Sequence, residues 1–559
     1  MASSKQIFAR RTSGLVREMA PHQAFIYNFM AIGLCTFTWV TLYSIAYSSA
    51  FLGASVGLAV LLMAIAAIPF YLATSMLSSA MPRSGGDYVW QSRVLHPILG
   101  FGSTFSAWTI WQWYFASFLG VVITTVGFQP YFALLGMSSP YFASLAATLA
   151  ANFGFNTANF AVTTAIILLG LIIAALGMRF YVRLQYILFA GSVVSAAAIL
   201  FVLATTTHTA FVQNFNSFTM PLVQAQGNQT VTNAVQSAGG YYQYLINTAN
   251  LSAPAFSWPG TLALWGVIWV SFGYAFWSIY NLSEMKSAES LKVQVWIQVG
   301  SSLLFALFLL ALWYLLEAVV GLQFLDSFYT LFYNFDPSTN PIAFFYTPYY
   351  PALVASLSSN PIVWALILVG LTFGVFQVIL IVYFASTRIM FAAAMDRVLP
   401  EKIAYVTQKT RTPIVALIIS AIGCEIFLYL IIYYTALTSY FSTAGLATQI
   451  AYVLISVTAI VFPYRNKQIF EASPAAKYKV GGVSVLAIMG VLSLIVNLYI
   501  GWIFVAGPAF TGVTVPTASS IEFVFGIFLA CILIYLVAWG VRKSQGIDLS
   551  LSFAEMPPV

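Results

Sequence analysis

The sequence predicts an all-α integral membrane protein with about twelve spans. Three observations lead there. The chain of 559 residues is 61% hydrophobic and only 6% charged, whereas a water-soluble globular protein carries about 25% charged residues. Apolar runs near the roughly 20 residues needed to cross a bilayer recur from end to end, leaving no stretch of soluble-domain composition. Once the runs are taken as alternating spans, all 21 Lys and Arg residues fall on one side.

The runs cover residues 23–48, 51–80, 98–127, 159–177, 184–206, 260–281, 293–320, 361–392, 413–435, 441–463, 481–506 and 520–541. With the N-terminus inside, Lys5, Arg10, Arg11 and Arg17 lie in the N-tail. Arg83 and Arg93 follow span two, Arg179 and Arg183 span four, and Lys286 and Lys292 span six. Span eight is followed by Arg388, Arg397, Lys402, Lys409 and Arg411, and span ten by Arg465, Lys467, Lys477 and Lys479; Arg542 and Lys543 stand in the C-tail. The outside connections hold none. The positive-inside rule expects a bias, and the segregation here is complete, which predicts a multi-pass protein of the plasma membrane with both termini cytoplasmic. It also accounts for the net charge of +7 without nucleic acid, since inside charges face anionic lipid.

The tail before span one is polar and basic, and the apolar run after it is too long for the core of a signal peptide. Residues 128–158 include an apolar piece that reads as a helix at the interface. Cys35, Cys424 and Cys531 sit in apolar runs without metal-type spacing and read as buried thiols. No metal cluster, no phosphate-binding loop for ATP and no Ser or Cys nucleophile motif is legible, which argues against an enzyme or an ATP-driven pump. No pore-lining ring of charge points to a channel.

The informative stretch is Trp265–Ser290, in span six. An apolar helix is interrupted at Gly273, between Phe272 and Tyr274, and leaves the membrane through Asn281-Leu282-Ser283-Glu284. A glycine interruption frees backbone groups, which are tolerated in a span only where protein or a polar cavity satisfies them; transporters build midplane binding sites from such breaks. Phe272, Tyr274 and Phe276 are candidates for an aromatic gate or a platform for a substrate ammonium, with core packing the alternative for each. Gln112, among Trp108, Trp111 and Trp113 of span three, faces substrate or bonds a neighbouring helix. Glu425 is the one acid deep in a span, where an ionisable group is costly and a function is the default hypothesis.

Two further motifs flank the spans. Met81-Pro82-Arg83-Ser84-Gly85-Gly86-Asp87-Tyr88-Val89-Trp90, followed by Arg93, forms an inside turn. Ser386 to Glu401 leaves span eight through Arg388, an alanine-rich turn, Asp396-Arg397 and Leu399-Pro400. Arg388, Ala392 and Asp396 share one helix face, and Arg388 with Asp396 reads either as an inner gate or as a solvated helix end on the inside. These two motifs and the Asn281–Glu284 exit resemble the amino acid–polyamine–organocation permease family. The resemblance implies two inverted five-span repeats, residues 23–206 and 260–463, with spans one and six broken. Between them lies an extracellular loop, 207–259; spans eleven and twelve occupy 464–541, and the cytoplasmic tails are 1–22 and 542–559.

The break of span one then falls at Ile32, Gly33, Leu34, Cys35 and Thr36, paired with Gly273. Where the family has a glycine-rich run, this chain has the bulky Phe37-Thr38-Trp39-Val40-Thr41, which shifts recognition toward Phe272-Gly273-Tyr274. The implied function is secondary active transport of an amino acid or related small amine by alternating access. A polyamine, an organic cation, another solute, or a sensor that kept the fold without transport are the alternatives. The coupling ion is Na+ or H+, with no other cofactor. Some family members carry a lysine in span five at the place of Ser192. Here Ser192, Ser386 and Thr387 offer hydroxyls for Na+, and Glu425 is a proton carrier or a structural hydrogen bond. The expected partners are a small-molecule substrate and the lipid bilayer.

Overall fold

The computed structural model of the chain describes residues 14–33, 51–225, 228–252, 255–333, 349–434, 444–506 and 518–554. Among these, eleven helices are long and apolar enough to cross a membrane. They are span two, Val56–Ala80; three, Pro97–Gly136; four, Thr157–Ala175; five, Met178–Thr205; six, Trp258–Glu284; seven, Leu291–Val319; eight, Pro361–Met395; nine, Ile414–Tyr433; ten, Gly445–Arg465; eleven, Val485–Ala506; and twelve, Ala518–Ser544. Each matches a span expected from the sequence. The first expected span starts as the helix Pro21–Ile32, with proline in its first turn. It stops at Gly33, whose φ of 84° is a left-handed conformation open to glycine at little cost. Leu34, Cys35, Thr36 and the 37–41 run lie outside the described residues.

Span three runs further than its apolar pattern indicates, to Gly136. A π turn at Ile123–Phe128 precedes Pro130, which lacks a backbone donor, and the helix continues through it. The short apolar helix Pro140–Ala150 packs back on this extension, where an interfacial piece was expected. Among the described residues the one sheet is a two-stranded hairpin, Lys479–Val480 with Val483–Ser484, turned by Gly481 and Gly482.

The packing repeats when the first five spans are exchanged for the second five. Span one packs on seven and span six on two; five packs on eight and ten on three; three packs on nine and eight on four. Pairs three–eight, four–nine and two–seven map onto themselves. Span eleven packs on two and ten, and span twelve on three and ten.

The basic segments meet on one face. Arg465 Nη1 donates to the Leu95 carbonyl at 2.9 Å, and Arg542 Nε to the Arg397 carbonyl at 2.9 Å. The Met19 and Met285 backbones pair, and Gly177, after span four, abuts the Thr410 backbone. Connections without Lys or Arg meet on the other face, where Tyr242 Oη donates to the Val320 carbonyl at 3.0 Å and Ser257 N to the Gly53 carbonyl at 2.7 Å. Large apolar side chains such as Ile187, Phe201, Leu307 and Val537 stand exposed between the two faces. In water such a surface would be a liability; in a bilayer it is the lipid-facing wall.

Candidate functional site

Span six is α-helical to Phe272, turns over Gly273 to Phe276, and resumes as a 3₁₀ helix, Trp277–Glu284. The break strands polar backbone groups in the buried centre, and two side chains from other spans satisfy them. Asn28 of span one donates through Nδ2 to the Ala275 carbonyl at 2.6 Å, and its Oδ1 accepts from Ser278 N at 2.7 Å. One carboxamide thus bridges both lips of the break. Tyr452 of span ten donates through Oη to the Gly273 carbonyl at 2.9 Å. Gly273 has an ordinary helical φ of −60°, so backbone freedom is not why it is glycine. A Cβ there would stand 2.6 Å from Tyr452 Oη and 3.0 Å from the Trp269 carbonyl oxygen. The glycine makes room for the tyrosine that holds the break open.

Aromatic rings close around this turn. Trp108 of span three lies 6.2 Å from Tyr274, 5.9 Å from both Phe276 and Trp277, and 5.3 Å from Tyr452, centroid to centroid. Phe115 is parallel to Tyr274 at 6.4 Å, and Phe70 of span two touches Phe276 at 5.3 Å and Tyr452 at 5.2 Å. Tyr274 and Phe276 therefore line the cage, and the Gln112 carboxamide faces the Tyr274 hydroxyl. Phe272 does not belong to it. Its ring packs on Phe305 of span seven at 5.3 Å, on the opposite side from Tyr274, two helical steps of about 100° each further on. Ile32 and Gly33 end the described span-one helix about one turn beyond Asn28, which brings this helix end beside the break of span six.

Asp87 lies at the cage floor. It opens the short helix Asp87–Val94 between spans two and three and is fully buried. Trp108 Nε1 donates to its Oδ2 at 3.0 Å and Gln91 Nε2 at 3.1 Å, while the Tyr280 hydroxyl lies beside it. No cation compensates the charge among these neighbours, and burial pushes the carboxyl up to about 7.

Below the floor the basic face is locked by two buried ion pairs. Arg388 of span eight grips Glu284 at the end of span six with two bonds of 2.8 Å. Arg93 of the loop helix grips Asp396 with bonds of 2.6 and 2.7 Å, and Tyr88 Oη donates to the same carboxylate at 2.8 Å. Arg388 and Asp396, expected to form an inner gate on their shared face, are both in ion pairs but not with each other. They stand eight residues apart, about 12 Å along a helix, so each takes a partner from another element. Around them Ser84 N donates to Ser283 Oγ at 2.9 Å, Gly85 N to the Tyr280 carbonyl at 3.2 Å, and Glu18 N and Met19 N to the Glu284 carbonyl at 2.9 Å. Gly85 has a φ of 93°, and a Cβ there would meet Ala392 at 2.6 Å. The paired glycines let the turn lie flat against span eight.

The expected ion ligands do not gather at the break. Ser192 Oγ donates to the Leu188 carbonyl within its own helix. Ser386 shares a 3.1 Å bond with Ser420 of span nine, and Thr387 bonds the Tyr383 carbonyl and accepts from Arg388. Glu425 accepts from Thr164 of span four at 3.0 Å, at the span four–nine contact. Sequence reasoning missed Asn28 and Tyr452. Asn28 carried a signal, being the one amide among the apolar residues from Ala24 to Ile32. Tyr452 carried none, as one of 32 tyrosines.

These features define a multi-pass α-helical membrane protein with a helix broken inside an aromatic cage and a closed lock on its basic face. The chain belongs to the amino acid permease family, whose family model matches residues 24–537, from the start of span one into span twelve. A search of curated protein sequences finds no match.

Proposed function

We propose that the protein is a secondary active transporter of amino acids or closely related small amines, working by alternating access across the plasma membrane with both termini cytoplasmic. The observation that carries this reading is the opened backbone of Gly273–Phe276, held by Asn28 and Tyr452 within rings that can face an ammonium. Substrate sits between Gly33 and Gly273, against Trp108, Gln112, Tyr274 and Phe276. The Glu284–Arg388 and Arg93–Asp396 pairs form the inner lock, which opens when spans one and six tilt away from spans three and eight. The cage of rings near one buried carboxylate, Asp87, also suits an organic cation or polyamine.

Uptake into proteoliposomes tests this. Labelled amino acids, then polyamines and other amines, are offered under imposed Na+ or pH gradients in separate arms. Accumulation that is lost in Gly273→Leu supports the reading. Uptake unaffected by Gly273→Leu moves the site elsewhere. Binding without accumulation under any gradient makes the protein a sensor on this fold.

A further inference from the structure

A cavity of about 550 Å³ opens on the basic face, away from the cage. Its walls are the loop helix Asp87–Val94, the amino end of span three, the exit of span ten, span twelve and the terminal helix Leu549–Ala554. Arg93 and Arg465 bring positive charge to it. Lys543 stands at its edge, over the ring of Trp539 at 4.8 Å. His96, Pro97 and Ile98 line it, so the positive end of the span-three helix dipole lies there, with Ile98 N–H donated to His96 Nδ1 at 3.3 Å. Arg93 spends both Nη groups on Asp396, and its buried Nε has no hydrogen-bond partner. Arg465 is exposed, and among the described residues its hydrogen bond is from Nη1 to the Leu95 carbonyl. The nearby acids are already engaged: Asp396 by Arg93 and Tyr88, and Asp548 by Ser550 N and Oγ. Arg93 and Asp396 cancel as a pair, and Arg465 with Lys543 against Asp548 leaves one net positive charge around the cavity.

The remaining wall is apolar. Leu536 and Trp539 of span twelve are 41% and 44% exposed, on the side that faces acyl chains in a bilayer. Tyr535 and Phe553 close the back, and the Phe553 ring lies 5.1 Å from the Arg93 guanidinium. A cationic hollow at headgroup depth beside a lipid-facing aromatic suits a ligand with an anionic head and hydrocarbon tails.

We propose that this cavity binds the headgroup phosphate of an anionic phospholipid, with its acyl chains along Leu536 and Trp539. The phosphate is received by Arg465, the Arg93 Nε and the amino end of span three. Arg93 then bridges the lipid and Asp396, so an occupied cavity steadies the inner lock. This assignment rests on the membrane topology and is independent of which solute is carried.

The test uses the full-length protein in detergent, with its thermal midpoint titrated with phosphatidylglycerol, phosphatidylcholine and inorganic phosphate. Phosphatidylglycerol is expected to raise the midpoint saturably while the other two do not. Arg465→Gln, at an exposed side chain outside the lock, is expected to weaken the phosphatidylglycerol response about tenfold, the loss of one charged contact. Trp539→Ala is expected to weaken it as well, which a free anion would not require. Equal stabilisation by phosphatidylcholine, or a wild-type titration in Arg465→Gln, overturns the proposal. A midpoint raised by inorganic phosphate, or unchanged titration in Trp539→Ala, assigns the cavity to a soluble anion and overturns the lipid assignment.

Discussion

Asn28 offers the sharpest test of how the broken helix is held. Its carboxamide makes two bonds to the backbone of span six, at 2.6 and 2.7 Å, and every group involved is buried. Asn28→Leu keeps a similar volume and removes both bonds. Each stranded backbone group then costs about 1–3 kcal/mol, so the closed form loses about 2–6 kcal/mol in all. Asn28→Asp keeps the acceptor for Ser278 N, loses the donor to the Ala275 carbonyl and adds a buried charge, so it does not rescue. Thermal unfolding of purified protein and uptake by proteoliposomes read the effect. Asn28→Leu is expected to lower the midpoint by several degrees and abolish uptake. If both measurements stay at wild-type values, the break is held by something else and the site assignment falls with it.

Further perturbations follow from the same geometry. Gly273→Ala drives a methyl against Tyr452 Oη and should reduce uptake; in a Tyr452→Phe background the added loss should be smaller, and strict additivity would show that the two do not meet. Glu284→Gln leaves the Arg388 guanidinium buried without its counter-charge, at a cost of about 3–5 kcal/mol; Glu284→Gln with Arg388→Met should recover much of the thermal midpoint, and a double variant worse than the single one would refute the pairing. Asp87, pushed up to about 7 by burial, keeps its proton in the closed form where a hydrated carboxyl near 3.9 has lost it. Its contribution to the closed form is complete below about pH 4 and disappears as pH rises to about 7. The titratable groups facing it are Tyr280 of span six and Tyr452 of span ten. The thermal midpoint should therefore fall between these pH values in the wild type and stay flat in Asp87→Asn. Glu425→Gln, at the span four–nine contact, should leave that profile in place.

The topology was legible because lipid makes one demand of every span. A run of about 20 apolar residues and the exclusion of Lys and Arg from one side are properties of the chain, readable without neighbours. Gly33 and Gly273 stood out by their paired places in the first span of each half, since glycines also occur throughout the other spans. The motifs around Gly85, Glu284 and Arg388 were readable as local patterns, so the residues of the inner lock were nearly all in view.

What only the tertiary structure decided was partnership. Arg388 chose Glu284, 104 positions away, and Asp396 chose Arg93, 303 positions away. Helix periodicity relates residues within a few turns and is silent at such separations. It could place Arg388 and Asp396 on one face but could not say who stands opposite. Phe272 and Tyr274 looked equivalent in the chain, yet one packs on span seven and the other enters the cage. Gly273 shows the division most plainly. Its presence marked the break, but its reason is the hydroxyl of Tyr452, a residue that no local pattern distinguishes. The solvent writes its demands into the sequence span by span, whereas contacts between spans exist only once the helices are assembled.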